Sequence, residues 1–384
     1  MVNIEPHIEV YDVERITQTS YGNAGKVALI GAFPTSTFQL DIFTSLDEAK
    51  AALKGTYTVN GDNDVPATFV SFYCLDYIFN SNNQSRGAES VLIVNTNYGE
   101  ETLATSSTNA KIDAACTLLT EEDFDILTIA ENTALAVADN NNYIINPVWQ
   151  TLKTFENTQY LNQKPFGIIT GVDLTNATNS IVEAFKTVWK DRGIYKAVTT
   201  PVRIAGASTS CNIAQSGCWH AAFTSGRPVN RSETAKTYNG LIGENSKDAY
   251  PLTGTPTWKK LLDNGFHTTK YKNRRTGTIQ CLSNITPADY DMKIERVKNY
   301  MIKRLTLADV LGEDNDRVTR AYVKGLFEYE KQLAINNNYI VNMEYSLSNI
   351  STDTIQANVK LYIADIVRVV VLNVALEVTA YEGA

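Results

Sequence analysis

An α/β fold, α+β over the chain as a whole, is predicted by three features of the sequence. From Ser90 to Lys190 short apolar runs alternate with helical segments, the rhythm of βαβ units. Two long amphipathic segments then precede a strand-rich ending. Both chain ends carry period-2 strand patterns that no sequence neighbour covers.

Taken in order, Ile4, Pro6, Ile8 and Val10 alternate with Glu5, His7, Glu9 and Tyr11, with the charge and proline of an edge strand. Lys26 to Ala32 reads as a buried strand. Ser45 to Lys54 reads as a helix, with a cap signature at Ser45 and Glu48 and a stop at Gly55. Residues 56–87, rich in Asn, Asp, Gly and Ser around the aromatic piece Thr68 to Tyr73, read as a possible insertion. Strands are expected at Val91 to Val94, Ile126 to Ile129 and Phe166 to Thr170, and helices at Ala110 to Leu119, Val148 to Glu156 and Ala177 to Lys190. The rhythm ends at Pro201 to Ser210, and a small-residue stretch follows to Pro228.

The next helix is expected to start at Thr286 and Pro287, with Tyr290, Ile294, Val297, Met301 and Leu305 on one face. Lys293, Arg296, Lys303 and Arg304 form a basic stripe beside that face. A solvated face is the ordinary reading of such a stripe; in an acidic chain it is also a dock for an acidic partner surface. A second helix, about Asp314 to Ala334, carries Val318, Tyr322, Leu326, Tyr329 and Leu333 as its apolar face.

The ending is the most strand-like part of the chain. Val359, Leu361 and Ile363 alternate with Lys360 and Tyr362, and then Ile366, Arg368, Val370, Leu372, Val374, Leu376 and Val378 line one face of a long run. So long a β-branched strand near the C-terminus must pair or stay an aggregation-prone edge. Either both tails close the chain's own sheet, or they add to sheets of other copies by β-augmentation.

Composition narrows the function. The 384 residues, 43% of them hydrophobic, can bury a substantial core and form two or three domains. With 34 Lys and Arg against 42 Asp and Glu, a net charge of -8, broad nucleic-acid binding is not expected. No leader pattern opens the chain and no apolar run is long enough to span a bilayer, so a cytoplasmic, unprocessed protein without membrane insertion is expected. Cys74, Cys116, Cys211, Cys218 and Cys281 form no C-x-x-C pair and read as small buried residues.

Catalytic signals are weak throughout. His7, His220 and His267 lack the spacing of a helical metal pair, and Gly22 to Lys26 fails as a phosphate loop because Val27 replaces the required Ser or Thr. Asp62 and Asp64 lack the Gly and terminal Glu of a calcium loop. No nucleophile elbow or dinucleotide fingerprint appears, so no catalytic, metal or cofactor residues are assigned and no cofactor is expected.

Five stretches in their order carry a resemblance: Gly25 to Pro34 (GKVALIGAFP) with Phe43 to Ala49 (FTSLDEA), Glu121 to Thr128 (EEDFDILT), His220 to Ser232 (HAAFTSGRPVNRS), Trp258 to Phe266 (WKKLLDNGF), and the helix-helix-strand ending. The chain resembles the tail sheath proteins of contractile phages, R-type bacteriocins and related contractile injection systems. The resemblance implies an inner assembly domain formed by residues 1–22 and 236–384, and an outer α/β domain, 23–235, between them.

It further implies that Ile4, Ile8 and Val10, with Ile366, Val370, Leu372, Val374, Leu376 and Val378 of a linking strand at 366–379, pair with sheets of neighbouring subunits. Stacked six-membered rings would surround a tail tube, with Lys293, Arg296, Lys303 and Arg304 as tube-facing candidates. Copies of itself, the tube protein, and baseplate and tail terminator proteins are the implied partners. The implied place is the tail of a virion or phage-tail-like particle assembled in the host cytoplasm. The implied role is storing energy in subunit interfaces and contracting to drive the tube through the target envelope, without hydrolysis. A non-contractile filament or envelope-lattice protein, and an α/β enzyme, are the alternatives.

Overall fold

The computed structural model describes residues 25–57, 65–79, 88–140, 142–191, 195–199, 202–204, 212–234, 236–243, 258–273, 278–305, 317–351 and 354–364. The first half runs β1 (Lys26–Gly31), β2 (Leu40–Phe43), α1 (Leu46–Leu53), α2 (Val70–Phe79), β3 (Ser90–Asn95), α3 (Asn109–Leu118), β4 (Ile126–Ile129), β5 (Thr133–Ala134), β6 (Ala136–Asp139) and β7 (Asn142–Ile145). It continues with α4 (Val148–Leu161), β8 (Gly167–Asp173), α5 (Asn179–Trp189), β9 (Tyr195–Val198), β10 (Val202–Ile204), α6 (Ile213–Ser225) and β11 (Thr237–Gly243). The rest is α7 (Trp258–Asp263), β12 (Phe266–Asn273), β13 (Thr278–Ser283), α8 (Met292–Arg304), α9 (Arg317–Asn336), β14 (Asn342–Ser351) and β15 (Thr354–Tyr362).

A mixed sheet of order β10-β11-β13-β12-β9-β8-β4-β1-β3-β2 forms the centre. From β12 to β3 neighbouring strands run parallel, while β2 and the β13-β11-β10 end are antiparallel. Parallel strands covered on both faces carry continuous apolar runs, and β1 does so. Its Val27 and Leu29, with Val91 and Ile93, face the layer of α1, α2 and α6; Ala28 and Ile30, with Leu92 and Val94, face α3, α4 and α5. The predicted strands and helices between Lys26 and Lys190 are thus present. The Ser45 hydroxyl caps α1 by accepting from the Glu48 N–H, and Gly55, at φ +65°, ends the helical path in the left-handed region.

Two features depart from expectation within this layered unit. Residues 65–79, part of the stretch expected as an insertion, form in α2 a helix that buries Phe72, Cys74, Leu75 and Ile78 in the core. An apolar helix has no solvent face to offer, so it becomes core. The small-residue stretch before Pro228 is the helix α6, with every residue from Ser216 to Ser225 buried. Asn212 caps it in a capping box with Gln215. Small residues serve close approach: a Cβ on Gly217 would lie 2.1 Å from the Gly171 nitrogen of β8, and one on Gly171 would lie 2.0 Å from the Ile213 carbonyl oxygen. Helix and strand meet backbone to backbone.

The expected domain boundary at 235/236 does not coincide with a break in the sheet. β11, β12 and β13 continue it as far as Ser283, and the sequence offered no strand expectation there. After that come α8, α9 and the β14-β15 hairpin, with their own core of Val297, Met301, Val323, Phe327, Ala334, Tyr339, Ile340 and Met343.

Candidate assembly surfaces

Residues 284–364 build three surfaces: the α8 stripe, the outer face of α9, and the hairpin. α8 begins five residues later than predicted. Thr286 instead closes a turn, its N–H and hydroxyl both donating to the Tyr290 carbonyl, and Asp289 sits at φ 66°. The cap is the fully buried Asp291, which accepts from the Lys293 N–H, Asn284 Nδ2 and the hydroxyls of Ser232 and Thr234. Four donors converging on one carboxylate outbid the Thr286 and Pro287 signal.

The basic stripe does not stand free. Lys303 Nζ donates to Asp123 Oδ1 (2.6 Å), the Phe124 carbonyl (2.8 Å) and Asp125 Oδ1 (3.4 Å), joining α8 to the segment between α3 and β4. Burial alone would lower the Lys303 ammonium, and Asp125 and Asp123 outweigh it, holding it above its ordinary value. Arg296 Nη2 donates to the Arg227 carbonyl at 2.8 Å, and burial pulls this guanidinium down to about 10. Arg304 grips Glu330 of α9 with two parallel bonds of 3.0 and 2.6 Å. Lys293 is the one member whose side chain has no hydrogen-bond or ion-pair partner among the described residues, Arg296 being held by backbone carbonyls alone. Lys298, on the same helix, stacks over the Tyr160 ring at 5.1 Å. The stripe spends its charge tying α8 to the sheet unit on one side and to α9 on the other.

α9 is turned away from its predicted orientation. Val323, Phe327, Glu330 and Ala334 are buried, whereas Val318, Tyr322 and Tyr329 of the predicted inner face are 74%, 52% and 58% exposed. The helix carries two apolar stripes. The buried one is interrupted by Glu330, whose charge is satisfied by Arg304, so periodicity alone favours the wrong stripe. On the outward ridge Gly325 sits with open space where a Cβ would be. Arg317, Arg320, Lys324 and Lys331 share another side of the helix, nearer the buried stripe than this ridge, without acidic partners among the described residues.

The hairpin pairs Asn342 with Tyr362 through to Ser351 with Thr354. Its inner face, including Met343, Tyr345 and Leu347, packs on α9, where the Tyr345 and Phe327 rings stand 5.3 Å apart. Its outer face carries Glu344, Ser346, Asn358 and Lys360 in solvent. It forms a two-stranded sheet among the described residues. Ile4, Ile8 and Val10, and Ile366, Val370, Leu372, Val374, Leu376 and Val378, lie outside the described residues.

The most polar buried site lies elsewhere, where α6 meets β9 and β11–β13. Lys196 and Glu233 pair at 2.5 Å, both nearly inaccessible, and Glu233 also accepts from Tyr238 Oη (2.8 Å) and the Thr224 hydroxyl. Burial alone would raise the Glu233 carboxyl; the Lys196 ammonium outweighs it and holds it at about 2. His220 and His267 complete the cluster with ring centres 4.6 Å apart. Burial drives the Cys281 thiol up to about 12, the mark of an inert thiol. Cys74, Cys116 and Cys218 are likewise buried and form no disulfide among the described residues, and Cys211 lies outside them. Among the described residues no group of His, Cys, Asp and Glu could hold a metal ion, and no helix is long and apolar enough to cross a membrane.

No family model matches the sequence, and no curated protein matches it either. Solved structures do. A sheath tail protein from Listeria innocua is 12% identical, with 90% of this chain and 96% of that chain covered and a TM-score of 0.57. A chain of the anti-feeding prophage helical sheath in its contracted state is 11% identical, with 94% and 95% covered and a TM-score of 0.61. A chain of the PVC sheath complex, an extracellular contractile injection system in its contracted state, is 13% identical, with 98% and 99% covered and a TM-score of 0.60. The chain therefore has the fold of contractile tail sheath proteins, as the sequence resemblance led one to expect.

Proposed function

We propose that this chain is the sheath subunit of a contractile tail or tail-like particle: a structural protein that polymerises around a tube and contracts to drive it into a target envelope. The observation that carries the reading is likeness over nearly the full length of both chains to sheaths, two of them in contracted assemblies. The hairpin supports it. Two strands alone are marginal in water, so β14-β15 gains from a third strand, and the strand-patterned 366–379 and Ile4 to Tyr11 are suited to supply one to a neighbouring copy. In this reading rings of six stack helically, and the baseplate and tail terminator bind the ends.

The tube-facing surface needs reassignment within the proposal. Arg296, Lys303 and Arg304 are committed inside the subunit, which leaves Lys293 and the α9 cations Arg317, Arg320, Lys324 and Lys331 for an acidic partner. An enzymatic role has no support from the neighbours, which are structural.

Negative-stain electron microscopy of the protein expressed alone, and with Ile366 to Ala384 deleted, tests the reading. Hollow striated tubes are expected from the full chain and soluble unassembled subunits from the deletion. Particles that stay monomeric even with a tube protein present would overturn the sheath assignment. Tubes from the deletion would overturn strand exchange alone.

A further inference from the structure

We propose that the facing imidazoles of His220 and His267 make the subunit acid-labile, so that acid opens the seam between α6 and the β9-β12-β13-β11 part of the sheet. The chain has three histidines, the side chains whose ordinary titration falls between pH 5 and 8, and two of them are packed together in the core.

Their surroundings leave no room for an added charge. His220 is fully buried and neither ring nitrogen has a hydrogen-bond partner. Edge-to-face contacts with Trp219 (5.1 Å), Tyr238 (5.0 Å) and His267 (4.6 Å) enclose it. His267 faces Tyr238 Oη at 3.4 Å and the Cys281 sulfur at 3.7 Å. The charges around the pair are Lys196 from β9 and Glu233 after α6, already neutralising each other at 2.5 Å, while Arg296 and Asp291 act on the cluster from α8. Tyr238 and Cys281, from β11 and β13, are held neutral by burial. Burial first, and the Lys196 ammonium second, hold both imidazoles well below their ordinary value.

A base held below its unfolded value in the native state binds its proton preferentially in the unfolded chain. Stability is therefore intact above about pH 6.5 and is lost as pH falls below it. Between pH 7.5 and 5 each such imidazole raises the unfolding equilibrium constant about 30-fold, and the two together about 1,000-fold. The Glu233 carboxylate, held at about 2, loses its contribution only at lower pH, below the ordinary carboxylate range.

The test is urea unfolding of the dissociated full-length subunit at pH 7.5 and 5.0, for the native chain, His7→Asn, His220→Phe and His267→Gln. The native chain and His7→Asn should show the roughly 1,000-fold change, and each core variant about 30-fold. An unchanged equilibrium constant in the native chain overturns the proposal, as does a full-sized change in both core variants. Should those variants fail to fold, imidazole NMR of the native chain decides: two resonances that do not titrate down to pH 5 support it, and titration of all three near 6.5 refutes it. No outcome depends on polymerisation, so the sheath reading stands or falls separately.

Discussion

Replacing Glu233 by leucine should be among the most damaging single changes in this chain. Glu233 and Lys196 have side chains only 2% and 3% exposed, and the carboxylate also receives Thr224 and Tyr238. Removing it strands an ammonium in the core, a loss of about 3–5 kcal/mol. Glu233→Leu should therefore lose about 3–5 kcal/mol at pH 7. The double variant Lys196→Met with Glu233→Leu should return to within about 2 kcal/mol of the native chain, since a packed apolar pair replaces a buried ion pair at little cost. Urea unfolding of the dissociated subunit, followed by tryptophan fluorescence, measures all three. A native-like midpoint for Glu233→Leu, or a double variant no better than the single one, would refute the reasoning.

Two further comparisons probe the packing. Gly217→Ala should destabilise by about 1–3 kcal/mol because its Cβ meets backbone 2.1 Å away, whereas Gly325→Ala, with open space around it, should stabilise the free subunit by about 1 kcal/mol. Equal effects in urea unfolding would show that the backbone contact of α6 is not tight. Lys303→Met should cost about 1 kcal/mol, given the partial exposure of the pair, and speed amide exchange in residues 121–125 without touching the hairpin. Unchanged exchange there would mean that Lys303 does not hold α8 to the sheet unit.

The α/β half was readable because its strands are continuous apolar runs and its helices carry local caps, as at Ser45. The α6 helix was missed because a helix buried on all sides has no amphipathic period to detect; the Asn212 and Gln215 capping box was the available signal. In α9 the opposite failure occurred. A clear period was present, but the buried stripe contains Glu330, and a charge satisfied by a partner 26 residues earlier looks like solvent exposure in sequence. The same holds for the α8 stripe, whose acceptors Asp123 and Asp125 lie almost 180 residues away. Long-range partners of charged groups are a tertiary fact that local spacing does not encode.

The meeting of Gly171 and Gly217 bears on how such a chain diverges. Where two layers are separated by side chains, their distance drifts as those side chains are exchanged, and related subunits lose common geometry together with common sequence. Here the distance between α6 and β8 is fixed by two main chains in contact, a dimension that exchange of larger neighbours cannot reset. Sequence can wander around such a point while the layers keep their spacing, one route by which chains sharing little more than a tenth of their residues can retain a common frame.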